Sequence, residues 1–272
     1  SCERVFNPKL DKKPIVILSN NDGCVISRSN EAKALGIPMG APAFKYNLIF
    51  KKNKVHTFSS NFPLYGDMSS RVMSILSRYT PNIEIYSIDE AFLEFKGFEN
   101  YDLEEYGKEI RKTILKWTGI PVSIGFAHTK ALAKVANRIS KKFDKKTGGV
   151  YVINSKEKEE KALKWLKIED VWGIGFKHAA RLKSYKINKA YDFTMLPDDW
   201  VRKQMSVVGL RLKKELEGES VLSLEESRSP KKAIATTRSF EKNITHFEGL
   251  KERVSTFSIC CSEKLRNQKS NC

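Results

Sequence analysis

Apolar residues recur along this chain with two periods, and each period predicts an element. Residues 83–95 read IEIYSIDEAFLEF, with alternating runs over 83–88 and 91–95 on either side of Asp89 and Glu90. Alternation at period two predicts paired strands. Residues 15–18 are predicted as a strand from their β-branched content, 20–23 as a hairpin turn and 24–27 as the returning strand. Further strands are predicted at 121–127, 150–153 and 234–240. The helical period predicts helices at 64–79, 102–117, 129–143, 156–166, 177–185 and 247–265. A short helix is predicted at 29–35, stopped by Gly36, before a loop punctuated by Pro38, Gly40 and Pro42. This order of elements predicts an α+β sheet with helices on one face.

Two of these elements carry candidate chemistry. In one straight strand Asp89 and Glu90 point to opposite faces, but at the corner between two strands they converge. Converging carboxylates repel unless a hard divalent cation lies between them. An acidic turn exposed to water is the other reading of the same spacing. The helix at 129–143 places Leu132, Val135, Ala136, Ile139 and Phe143 within about 100° of arc, and Lys130, Lys134, Arg138, Lys141 and Lys145 within about 80° on nearly the opposite side. One face enters a core and the other presents five cations, either to water or to an anion.

Charge changes the balance between those readings. The 272 residues hold 49 Lys plus Arg against 32 Asp plus Glu, a net charge of +17. Such an excess favours a polyanionic partner, most simply nucleic acid. The five cysteines, Cys2, Cys24, Cys260, Cys261 and Cys272, have no zinc spacing and fit reduced, buried thiols in a cytosolic protein. No apolar run approaches the roughly 18 residues of a membrane span, and no signal peptide is visible.

Val171-Trp172-Gly173-Ile174-Gly175 lies between two helical stretches. Two glycines around one apolar residue allow a tight interhelix turn. Backbone N–H groups at the following helix N-terminus suit a phosphate. This is helix-hairpin-helix chemistry, which holds a DNA backbone without reading its sequence; Lys177, Arg181 and Lys183 add charge nearby. A plain interhelix turn is the alternative. His56, His128, His178 and His246 have no metal spacing, Trp117, Trp165 and Trp200 read as core, residues 59–61 as a helix cap, and Asp67 with Arg71 as a helix-face pair.

Taken together, VILSNNDGCVISRSNEAKALGIPMGAP (16–42), FSSNFPLYGDMSSRVM (58–73), IEIYSIDEAFLEF (83–95), TKALAKVAN (129–137), DVWGIG (170–175) and ATTRSFEKNIT (235–245) make the sequence resemble a Y-family translesion DNA polymerase of the UmuC type, over essentially all its length. The resemblance implies a right-hand polymerase. It would have small fingers at 1–60, a palm sheet at 61–150, a helical thumb with helix-hairpin-helix at 151–222, a linker at 223–232 and the start of a little finger at 233–272.

It also implies chemistry: template-directed nucleotidyl transfer from dNTP to a primer 3′-hydroxyl by two Mg²⁺ ions. Asp89 and Glu90 would be metal ligands. Asn30, Lys33 and Lys141 would face the triphosphate, and Gly173, Ile174, Gly175 and Lys177 would hold DNA. At the first two positions the family often carries an aromatic residue and an arginine, and lysine offers a point charge without the planar fork. The implied partners are primed damaged DNA, dNTP, a processed UmuD-like dimer, RecA and a sliding clamp. The setting would be error-prone SOS synthesis in a bacterial cytoplasm, at the nucleoid. The family's opening strand, with its metal-binding Asp, has no counterpart here. The expectation is therefore a fragment cut at both ends and inactive by itself. The competing readings are a non-catalytic DNA-binding module, another palm-type two-metal enzyme such as a nucleotide cyclase, and a truncated product without function.

Overall fold

Helix α1 (Cys2–Phe6) opens the chain and buries none of its residues. The first buried element is β1 (Ile15–Leu18), apolar throughout and covered at all four positions. It is the middle strand of a three-stranded sheet. β2 (Val25–Arg28) pairs with it antiparallel and β3 (His56–Ser59) parallel. The turn between β1 and β2 holds Asp22 at φ +52°, which aspartate tolerates better than most residues. Ser29 caps α2 (Asn30–Ala34) by accepting from Ala32 N at 3.3 Å, and Gly36 at φ +75° follows its end.

The sequence predicts neither α3 (Ala43–Lys52) nor β3. Helix α3 buries only Ala43 and Phe50, so its apolar face is too narrow to be legible. β3 reads HTFS, and its strand geometry comes from pairing Ile15 with His56 through Leu18 with Ser59.

The computed structural model describes all residues except 99, 226–232, 238–239, 241–242 and 271–272. The chain falls into two units, one of Phe6–Phe62 with Ser227–Cys272 and one of Ser1–Val5 with Pro63–Glu226. The first holds the three-stranded sheet. Its helix nearest the C-terminus, Phe247–Gln268, buries no residue. Of the strand predicted at 234–240, residues 234–237 and 240 carry no strand, and 238–239 lie outside the described residues. Side chains rather than a ladder hold this stretch to the helix. Lys264 Nζ donates to Ala235 O at 2.9 Å, and Phe240 stacks on Phe257 at 6.2 Å.

The second unit contains α4 (Phe62–Leu76), β4 (Ile83–Ile85), β5 (Ala91–Leu93), α5 (Leu103–Thr118), β6 (Ile124–Phe126), α6 (Lys130–Lys142), α7 (Asp144–Thr147), β7 (Val150–Val152), α8 (Lys156–Trp165), α9 (Phe176–Ser184), α10 (Ala190–Thr194) and α11 (Asp198–Leu216). Asp102 caps α5 by accepting from Glu104 N and Glu105 N, and Gly119 closes it at φ +70°. Val72 and Ile75 of α4 pack on Ile110 and Ile114 of α5.

Where one palm sheet was expected, the described residues of the second unit form two ladders. β4 and β5 pair antiparallel, β6 and β7 parallel. Rings fill part of the space between them: Phe95 beside β5 lies 5.4 Å from Phe126 of β6.

Helix α6 is the crossover between β6 and β7. Thr129 caps it by accepting from Leu132 N at 3.2 Å, and Ala131, Leu132, Val135, Ala136 and Ile139 are buried. One apolar cluster joins these residues to Ile153, Leu163, Leu166, Ile168, Ile174, Leu182, Phe193, Val201 and Leu216. Helices α8–α11 therefore share a core with α6. Trp117, expected in a core, is about half exposed at the end of α5, with Arg78 over its ring at 4.8 Å. Asp67 and Arg71 form the expected pair at 2.8 Å.

Two positions hold α6 in place. A Cβ at Gly125 would lie 2.1 Å from Asn137 N and 2.6 Å from Ala133 O. The buried Glu215 carboxylate accepts from Ala131 N at 3.1 Å and from Val221 N and Leu222 N at 2.9 Å. Gly125→Ala should cost about 3 kcal/mol or more, because backbone cannot rotate away from the new methyl. Glu215→Ala should cost a similar amount, about 3 kcal/mol, by leaving three N–H groups without acceptors. Urea unfolding measures both; losses under about 1 kcal/mol would show that α6 is not pinned at these points.

Candidate functional site

Asp89 and Glu90 stand on the turn between β4 and β5, the corner the alternation predicts. Tyr86 N and Ser87 N both donate to Glu90 O at 3.0 Å and close the turn. Ser87 Oγ donates to Asp89 Oδ1 at 2.7 Å and accepts from Asp89 N at 3.3 Å, which orients the carboxylate. Both acidic residues are exposed. Their departure from strand geometry lets neighbouring carboxylates leave the turn without the opposite-face constraint.

The lysine face of α6 meets this hairpin. Lys134 Nζ lies 2.7 Å from Glu90 Oε2, and Lys130 Nζ bonds Glu84 Oε2 of β4. The two lysine side chains are only 17% and 11% exposed, so they are not a solvated basic face. Lys134 sits over three rings, 4.6 Å from the centre of Tyr86, 5.2 Å from Phe92 and 5.8 Å from Trp172. Trp172 Nε1 donates to Tyr86 Oη at 3.0 Å.

Arg138 pairs with Asp170 at 2.5 Å. Three of the five stripe cations are therefore neutralised by carboxylates of the same unit. Lys141 is exposed and lines a cleft of about 270 Å³ with Glu90, Lys134, Asn137, Arg138 and Trp172.

The glycine turn also departs from expectation in part. Gly173 adopts φ +86° and Gly175 is the N-cap of α9 without offering a side-chain acceptor. The first N–H groups of α9 lack intrahelical partners, as at any helix N-terminus. Lys177 is exposed beside them.

Ile174, however, is buried, and its N–H donates to Val171 O at 3.1 Å. It anchors the turn and has no donor left for DNA. Arg181 donates to Gln204 O at 2.8 Å and Lys183 pairs with Glu169 at 2.9 Å. Hydrogen bonds from its own backbone N–H and from Lys183 hold the Glu169 carboxyl below the ordinary carboxylate range. The charge these two residues were expected to lend the turn is thus engaged within the protein.

Asn30 and Lys33 belong to the other unit. Both are exposed on α2, and Lys33 Nζ lies 3.5 Å from Asn30 Oδ1. Tyr86, Phe92, Glu84 and Trp172 escape the sequence reading. Tyr86 and Phe92 read only as strand residues, and Trp172 only as the neighbour of a glycine turn.

As cation ligands, Asp89 and Glu90 supply two hard carboxylates, which suits an ion that completes its shell with water and substrate oxygens. Among the described residues no group of three or more His, Cys, Asp and Glu side chains gathers for a metal. No described helix is long and apolar enough to cross a membrane.

Known proteins share this architecture. The solved structure described as the insertion ternary complex of Dbh DNA polymerase matches with a TM-score of 0.70 and 29% identity, covering 82% of this chain and 65% of that one. UmuC of Salmonella typhimurium is 43% identical over 273 residues, covering 100% of this chain. DNA polymerase IV 1 of Halalkalibacterium halodurans is 30% identical over 217 residues, 78% of this chain and 50% of that protein. The chain spans 65% of the length of the UmuC relative. The sequence model of the family described as IMS, impB/mucB/samB family, matches residues 1–138. With the α+β polymerase fold and a family match over half its length, the chain belongs to the impB/mucB/samB family.

Proposed function

We propose that this chain carries the catalytic region of a translesion DNA polymerase, which joins a dNTP to a primer 3′-hydroxyl on damaged template. The observation that carries the reading is the turn presenting Asp89 and Glu90 beside a lysine-lined cleft, in a fold matched by polymerase structures. Asp89 and Glu90 would hold Mg²⁺, whose charge, when bound, neutralises developing charge on the phosphate oxygens. Asp89 is kept oriented by Ser87, so its carboxylate needs little reorganisation to accept a cation. Lys141 offers a point charge for the triphosphate. Asn30 and Lys33 are assigned to triphosphate binding on resemblance. The N-terminal turn of α9, entered through Gly173 and Gly175, would take a DNA phosphate, with Lys177 adding charge.

The division into fingers, palm, thumb and little finger is part of the same reading. So are a UmuD-like dimer, RecA and a sliding clamp as partners, and an SOS setting in the cytoplasm. A non-catalytic DNA-binding role is the second reading. It is favoured by the occupation of Glu90 by Lys134.

Two measurements separate them. In primer extension with Mg²⁺ by the whole protein, Asp89→Ala should lower the rate about a hundredfold or more. Full activity in that variant would remove Asp89 from the reaction. For DNA binding by the 272-residue chain, Lys177→Ala should weaken binding uniformly across sequences. It should also lower the slope of log affinity against log salt by about one. An unchanged slope would detach Lys177 from the phosphates.

A further inference from the structure

Glu90 already has a cation on it, and that cation belongs to the protein. We propose that Lys134 is a positioning residue that sets how tightly the Asp89–Glu90 turn holds a divalent ion, by occupying Glu90 as a resident counter-charge. The inference rests on the reading of Asp89 and Glu90 as metal ligands given above.

Three observations carry it. The Lys134 ammonium lies 2.7 Å from Glu90 Oε2 and its side chain is 17% exposed. It is enclosed by the faces of Tyr86, Phe92 and Trp172 at 4.6–5.8 Å. The Trp172–Tyr86 hydrogen bond of 3.0 Å ties two of those rings together.

An exposed lysine that paired with Glu90 would swing into water when a competing cation arrived. A caged one gives up three π-faces if it leaves, so it stays beside the carboxylate. A divalent ion on Glu90 then sits near a fixed positive charge, and the repulsion lowers its affinity. Glu90 keeps 49% of its side chain exposed, so water screens its pair with Lys134 and an incoming ion can compete for it. Because Trp172 leads directly into Gly173, the cage also joins the glycine turn to the acidic turn.

Mn²⁺ titration of the 272-residue chain, followed by electron paramagnetic resonance, tests this without any turnover. Methionine fills an aromatic-lined space without charge. Lys134→Met should bind Mn²⁺ about tenfold more tightly than wild type. Lys134→Arg should stay near wild type, and Asp89→Asn should lose the site.

If wild-type binding depends on Asp89 but Lys134→Met binds equally or more weakly, the role given to Lys134 is overturned. If Asp89→Asn binds Mn²⁺ as wild type does, the metal-ligand reading itself fails, and this inference with it. Circular dichroism checks the fold of each variant. Should Lys134→Met not fold, Lys134→Gln is titrated in its place, with the same expectation and the same refutation.

Discussion

Two ammonium groups four residues apart on α6 meet two carboxylates of one hairpin, and the candidate site depends on that match. Lys130 holds Glu84 on β4, and Lys134 holds Glu90 on the turn. Residues at i and i+4 lie on one helix face about one turn apart. That single spacing fixes both the height and the tilt of the hairpin against the helix. The pairs are not equivalent. Lys130 and Glu84 are both largely buried, and Glu84 also accepts from Glu225 N at 2.7 Å. The Glu90 end of the second pair is half in water. The first behaves as a structural clasp, and the second leaves its carboxylate accessible.

The apolar side of α6 determines where those lysines go. Leu132, Val135 and Ile139 are committed to the core shared with α8–α11. Gly125 lets the helix approach β6 closely enough that no side chain fits between them. Glu215 caps the start of the helix from α11 and holds residues 221 and 222 with the same carboxylate. A helix located this firmly presents its opposite face at a fixed place. The cation–carboxylate contacts can then be short despite the cost of partly removing charges from water.

The acidic turn was legible because alternation stops at Asp89 and restarts at Ala91, which marks a corner. The amphipathicity of α6 was legible for the same kind of reason, a period in one dimension. The fate of its cations was not. The sequence shows five positive side chains on one face, and nothing local says that Glu84, Glu90 and Asp170 will neutralise three of them. The glycine turn shows the same limit at Ile174. Its place between two glycines suggested a DNA contact, yet its side chain fills the core and its N–H closes the turn.

The sequence by itself determined the elements whose residues carry their own periodicity or caps: β1, α4, α5, α6, the β4–β5 corner and the start of α9. These follow from local spacing, and local spacing survives folding. Only tertiary structure decided the rest. β3 is a strand because β1 pairs with it, and β6 meets its ladder partner β7 only after the chain has passed through α6 and α7. The cage around Lys134 draws on residues 86, 92, 134 and 172. Its rings are 86 positions apart at the extremes, and no period along a chain encodes a contact made only when the chain closes on itself.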